Sequence, residues 1–239
     1  MDATRLSDIS FAWVAEPPVI APPLGKALLF ELSDVLYESS VWRRWLLRLL
    51  ARMGLSTNYQ AFFDCWDTYY VPDINTGQRT LRESLAAMLL ECGLAPALVE
   101  EIVSAALAQY KALDAEPRLL PGVAATLSQL ARRGLALAIS ADTDQTADAV
   151  RDKLKKLGVA GQFRHVTSSR DLNSAKPAPV CYLAAVMALG LTPETVLFVG
   201  CRPAHLAGAS AVGLATAAIG NAPADHRLDR FDQLLDLCG

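Results

Sequence analysis

The chain has 239 residues, enough for one or two domains with a full core. Hydrophobic residues make up 52% of it, yet no apolar run reaches the roughly 18 residues that suggest a membrane span. A net charge of −3 gives no electrostatic reason to expect nucleic acid or an anionic membrane as partner.

Residues 1–25 read as a separate arm. Pro17-Pro18 and Pro22-Pro23 prevent regular structure there, while Phe11, Trp13, Val14 and Ile20 are too apolar for a plain tail. The arm is expected to pack along the body or to meet a protein partner. It lacks a basic start followed by an apolar run, so no secretory signal is expected.

Residues 26–32 form a short apolar run suited to a central parallel strand. The pattern then becomes helical. Trp42, Trp45, Leu46, Leu49 and Leu50 recur at three and four residues, on one face, and Gly54 ends that helix. The arginines Arg43, Arg44 and Arg48 read as its solvated face. Further helices are expected near 57–70, 79–92 and 95–112, separated by Pro72-Asp73, Gly93 and Pro96. Trp66, Tyr69 and Tyr70 read mainly as core aromatics, with the cleft as the alternative.

After Leu120-Pro121-Gly122 the chain alternates. Helices are predicted over 122–133, 144–157, 178–189 and 203–212. Strands follow over 135–139, 163–167, 195–199 and 214–218. Strands alternating with helices of this length predict a doubly wound α/β sheet. Ligands of such sheets bind at the carboxyl ends of the strands. Glu31, Ser140, Lys176 and Cys201 fall there.

The five cysteines, Cys65, Cys92, Cys181, Cys201 and Cys238, include no Cys-x-x-Cys pair, which fits a reducing, cytoplasmic setting. His165 and His226 have no cluster and read as ordinary residues.

Four segments in this order resemble the motifs of the haloacid dehalogenase (HAD) superfamily, over about residues 26–220. The first is Lys26-Ala-Leu-Leu-Phe-Glu31-Leu-Ser33-Asp34, and the second is Ser140 after its strand. The third, Ser174-Ala-Lys176-Pro177-Ala-Pro179, resembles the family's "GKPAP" segment. The fourth is Val199-Gly200-Cys201-Arg202-Pro203-Ala204-His205. The phosphoglycolate phosphatase and β-phosphoglucomutase-like branch is the most similar. The resemblance implies a three-layer core of residues 26–38 and 114–239, with an all-helical cap of residues 39–113 inserted.

It also implies roles. Glu31 stands at the position of the nucleophilic aspartate and Ser33 at that of the acid/base aspartate. Asp34 replaces a glycine, while Ser140 and Lys176 take the phosphate-binding positions. Cys201 and His205 replace the acidic Mg²⁺ ligands. Mg²⁺ requires hard oxygen donors, so it is not expected here. Glu31 carries one methylene more than aspartate, and a displacement near 1 Å can cost roughly 10²-fold. The expectation is a pseudoenzyme for Mg²⁺-dependent phosphoryl transfer, with a residual phosphate or anion site and a binding or regulatory role. The alternatives are a phosphatase of a small phosphorylated metabolite using Glu31, and a structural or assembly protein. No cofactor is expected; a Zn²⁺ site at Glu31, Cys201 and His205 is the alternative. Asp142 and Asp144 read as turn and cap residues. Asp34 is the carboxylate expected to pair with Lys176 and fill the phosphate pocket.

Overall fold

The computed structural model describes residues 25–238. The arm reading therefore lies outside the described residues. In the core, β1 (Ala27–Phe30) is followed by the helical block: α1 (Ser40–Arg52), α2 (Tyr59–Tyr69), α3 (Val71–Thr76), α4 (Leu81–Glu91) and α5 (Pro96–Ala115). The chain then returns to the sheet through α6 (Val123–Arg132), β2 (Ala136–Ala141), α7 (Ala147–Lys156), β3 (Phe163–Ser168), α8 (Ser169–Leu172) and α9 (Val180–Ala188). It ends with β4 (Val196–Gly200), α10 (Pro203–Ala211), β5 (Ala215–Ile219), β6 (His226–Leu228) and α11 (Leu234–Leu237).

The six strands form one parallel sheet in the order β3-β2-β1-β4-β5-β6. In the centre Ala27 pairs with both Ala136 and Val196. Period-two alternation assigns the faces. Leu28, Phe30, Leu137, Ile139, Leu197 and Val199 pack with Leu127 of α6 and Leu154 of α7. Ala27, Leu29, Ala138, Val196 and Phe198 pack with Tyr182 of α9 and Leu206 of α10. Helices on both faces explain why the central strands carry no polar stripe. The result is a three-layer α/β fold. The helical block has its own core, built on Trp42, Leu46, Trp66, Leu85, Met88, Ile102 and Val103.

Several sequence expectations need adjusting. Pro72 does not break the chain; it sits in the first turn of α3, where its missing N–H is no loss. Strand β2 runs on to Ala141, which puts Ser140 inside the strand. The short elements β6, α8 and α11 were not expected, being too brief to show a period. Besides the Lys153–Asp114 ion pair between α7 and α5, two contacts of α8 dock the helical block on the core. Ser169 Oγ lies 2.7 Å from the Asn75 carbonyl, and the Arg170 guanidinium donates to the Thr76 carbonyl at 3.2 Å. Arg170 also lies over Gly77, where an added Cβ would overlap it. Among the described residues no helix is long and apolar enough to cross a membrane.

Candidate functional site

Glu31 follows β1 directly, and its N–H donates to the Val199 carbonyl at 2.9 Å. Its buried side chain lies between the ends of the three central strands. Oε2 accepts the Cys201 backbone N–H at 2.9 Å, and Oε1 contacts Nδ1 of His205. Gly200 makes the room: an added Cβ there would lie 3.0 Å from Glu31 Oε2 and 2.8 Å from the Phe198 ring. Burial would raise the Glu31 carboxyl. The hydrogen bond and charge of His205, with the Lys176 charge and the Cys201 N–H, outweigh it and hold the group below its ordinary value. Glu31 is thus a carboxylate, and Nδ1–H of His205 is the donor.

On the other side of the imidazole, Nε2 lies 3.6 Å from Asp142 Oδ2. Asp142 Oδ1 in turn accepts from Lys176 Nζ at 3.0 Å. Lys176 Nζ also donates to the Ser140 carbonyl at 2.8 Å and to Ser140 Oγ at 3.2 Å. Three acceptors match the three protons of an ammonium group. Ser140 Oγ donates to the Cys181 carbonyl at 2.8 Å. The four groups Glu31, His205, Asp142 and Lys176 form a continuous, buried chain of opposed polar partners.

Two expectations are reversed here. Asp34 does not pair with Lys176. Its φ of 60° is the left-handed conformation that a glycine or an aspartate tolerates, and it turns the side chain toward α1. Oδ1 accepts the N–H groups of Ser39 and Ser40 at 2.8 and 3.1 Å, and Oδ2 the Ser39 hydroxyl at 2.8 Å. Asp34 therefore caps α1. The aspartate read as a turn residue, Asp142, is the one that neutralises Lys176. Position gave a signal: Asp142 lies two residues beyond Ser140 at the end of the same strand. Asp144 borders the cleft and, among the described residues, is partnered only by the adjacent Thr143 hydroxyl, at 3.4 Å.

The donors do not fit Mg²⁺. Both Glu31 oxygens are engaged, and the Ser33 hydroxyl lies 3.4 Å from the Tyr37 hydroxyl. Positions 201 and 205 offer a thiol and an imidazole in place of hard oxygens. The zinc alternative is corrected too. Burial, followed by the charge of Glu31, pushes the Cys201 thiol up to about 12, so it is not a ready thiolate. Nδ1 of His205 is turned onto Glu31 itself, and among the described residues no three His, Cys, Asp or Glu side chains converge as a ligand set.

Above these residues opens a cleft of about 590 Å³ between the sheet and the helical block. Trp66 borders it, whereas Tyr70 is buried and donates to Glu91 at 2.6 Å. Tyr69 is exposed. Arg43 and Arg202 also border the cleft. The sequence reading assigned Arg202 no role, although it follows Cys201 immediately.

The haloacid dehalogenase-like hydrolase family model matches residues 23–213. Glyceraldehyde 3-phosphate phosphatase from Methanopyrus kandleri is 28% identical, over 89% of this chain and 96% of its own length. Phosphoglycolate phosphatase from Salmonella paratyphi A is 34% identical, over 51% of each chain. The chain spans 41–53% of the length of several other curated relatives. The solved L-2-haloacid dehalogenase of Xanthobacter autotrophicus superposes with a TM-score of 0.65 at 20% identity, over 90% of this chain and 98% of that one. With four motifs in order on this sheet, a helical block inserted after the first strand and a family match over most of its length, the chain belongs to the haloacid dehalogenase-like hydrolases, in the phosphoglycolate phosphatase-like branch.

Proposed function

We propose that this family member is catalytically impaired as a Mg²⁺-dependent phosphatase and works as a metal-independent binder of a small anion. One observation carries this reading: every group that would handle a phosphoryl transfer is already satisfied inside the protein. The carboxylate at the nucleophile position is hydrogen-bonded through both oxygens. The Lys176 ammonium has three protein acceptors, and the Ser140 hydroxyl donates to a carbonyl. A nucleophile held in this way must break a charge-assisted contact with His205 before it attacks, and no second carboxylate stands at Ser33 to act as general acid.

The charges support the same reading. Glu31 is paired with His205 and Asp142 with Lys176, so each carboxylate already has a protein partner. The centre is balanced without a divalent ion, whereas a set of four acidic groups needs one. An anion entering the cleft therefore meets no uncompensated carboxylate cluster. A cytoplasmic setting is part of this proposal, supported by the scattered free cysteines.

The test is phosphate release from a mixed panel of small phosphate esters, with and without Mg²⁺, for the full chain and its Lys176→Ala variant. Expected is no release above the variant under either condition. Mg²⁺-dependent turnover that requires Lys176 would overturn the reading and favour the alternative, a phosphatase of a small metabolite with Glu31 as nucleophile.

A further inference from the structure

The two helical layers that cover the sheet differ in charge. On one face, six of the ten residues of α7 are charged, and α6 ends on Arg132, followed by Arg133. On the other face lie α9 and α10. Neither residues 177–193 nor residues 203–224 include an aspartate, glutamate, lysine or arginine, in a chain that is 20% charged. His205, within the second segment, is buried on Glu31. A helix packed on a sheet normally turns charged and polar residues outward. These two do not.

Their outward faces are apolar instead. On α9, Val180 is 43% and Met187 76% exposed, and the half-buried Leu183 stands between them at helical spacing. On α10 the exposed Ala204, Ala207 and Ala211 recur at three and four residues. The two helices approach closely. A Cβ on Gly208 would lie 2.7 Å from both Pro177 and the Tyr182 hydroxyl, and that hydroxyl donates to the His205 carbonyl at 2.8 Å. Each helix has nine residues. At about 1.5 Å per residue and about 11 Å in diameter, the pair with its flanks projects roughly 400 Å². An exposed apolar patch of that size marks an interaction site.

We propose that the α9–α10 face is a self-association surface, on which a second copy of this chain docks about a two-fold axis with the two apolar layers face to face. Two features select a second copy. In a two-fold contact the same patch meets itself, so a charged residue near the axis would face its own like charge. A face without charged residues avoids this, whereas a different protein could complement charges and would not require their absence. The chain also carries a net charge of −3, so two copies repel overall, and through this layer they approach without bringing like charges together. The area sets the strength. Roughly 400 Å² per copy is below the ~800 Å² per partner of a standard interface, so the dimer is expected to dissociate in the micromolar range or above. None of the six side chains named borders the cleft, so the proposal is independent of the anion-binding reading.

Sedimentation velocity of the full chain over a concentration series tests this. A reversible monomer–dimer equilibrium is expected. Met187→Lys and Ala207→Lys each set a charge against its own copy and should weaken association at least about tenfold. Both positions are exposed, so circular dichroism melts should match the parent and show that the variants are folded. Lys156→Glu, exposed on α7, should leave association unchanged. The proposal is overturned if the chain stays monomeric throughout the series, if the dimer persists in both lysine variants, or if the loss follows Lys156→Glu. Limited proteolysis of the same samples sorts the other occupants. A monomer whose residues 1–24 are cut faster in Met187→Lys than in the parent assigns the face to that segment. A monomer with unchanged cleavage assigns it to a different protein, and either result refutes self-association.

Discussion

Replacing Asp142 with asparagine tests which carboxylate neutralises the site lysine. The Lys176 and Asp142 side chains are 1% and 9% exposed, and their charged atoms are 3.0 Å apart. Removing one partner of such a pair leaves a buried charge and costs about 3–5 kcal/mol. Asparagine keeps an oxygen that accepts from Lys176, so the lower end, about 3 kcal/mol, is expected. For a chain of this size each kcal/mol moves the melting temperature by about 2–4 °C, so the transition should fall by about 6–12 °C. Circular dichroism melts at neutral pH read this directly. Asp34→Asn is the comparison. Asparagine tolerates the left-handed conformation and still caps a helix, so that variant should melt close to the parent. Asp142→Leu combined with Lys176→Met should recover most of the loss, because an apolar pair of similar volume replaces a buried ion pair at little cost. A parent-like melt for Asp142→Asn together with a large fall for Asp34→Asn would refute the assignment.

Other perturbations have defined outcomes. Glu31 has a lowered carboxyl value, so its stabilising contribution is full above the unfolded value of about 4.3 and is lost as pH falls through the folded one. Glu31→Gln should therefore differ most from the parent above about pH 5, and the difference should shrink on acidification when both are melted across the range. Gly200→Ala puts a Cβ 2.8 Å from the Phe198 ring and 3.0 Å from Glu31 Oε2, and such overpacking costs about 1–3 kcal/mol in chemical unfolding. Thr80→Ala removes one half of the capping box with Glu83 at the start of α4 and should cost about 1 kcal/mol, again by chemical unfolding.

The parallel sheet was legible because its strands are short apolar runs set between helices of regular period. The apolar stretch before Glu31 and the segment 195–199 both appear as buried central strands. The site was legible as a set of positions. Glu31, Ser140, Lys176, Cys201 and His205 gather at the carboxyl ends of the central strands, as the motif order implied. Partners within the site were not legible, because they depend on rotamers and loop conformation. Asp34 and Asp142 are equivalent as letters, and a left-handed φ at one of them decides that it caps a helix. Arg202 gave no periodic signal; it borders the cleft because it stands at the start of α10. The extra methylene of Glu31 looked like a simple misfit, yet the bare Cα of Gly200 and the imidazole of His205 accommodate it.

Whether Glu31 is available as a nucleophile is decided most directly by trapping. The full chain is incubated with Mg²⁺ and acetyl phosphate, quenched in acid, and its intact mass is measured beside that of Glu31→Gln. Expected is an unchanged mass for both proteins. A phosphoryl adduct on the parent, mapped to Glu31 and absent from the variant, would contradict the reading of a carboxylate locked by His205 and Cys201.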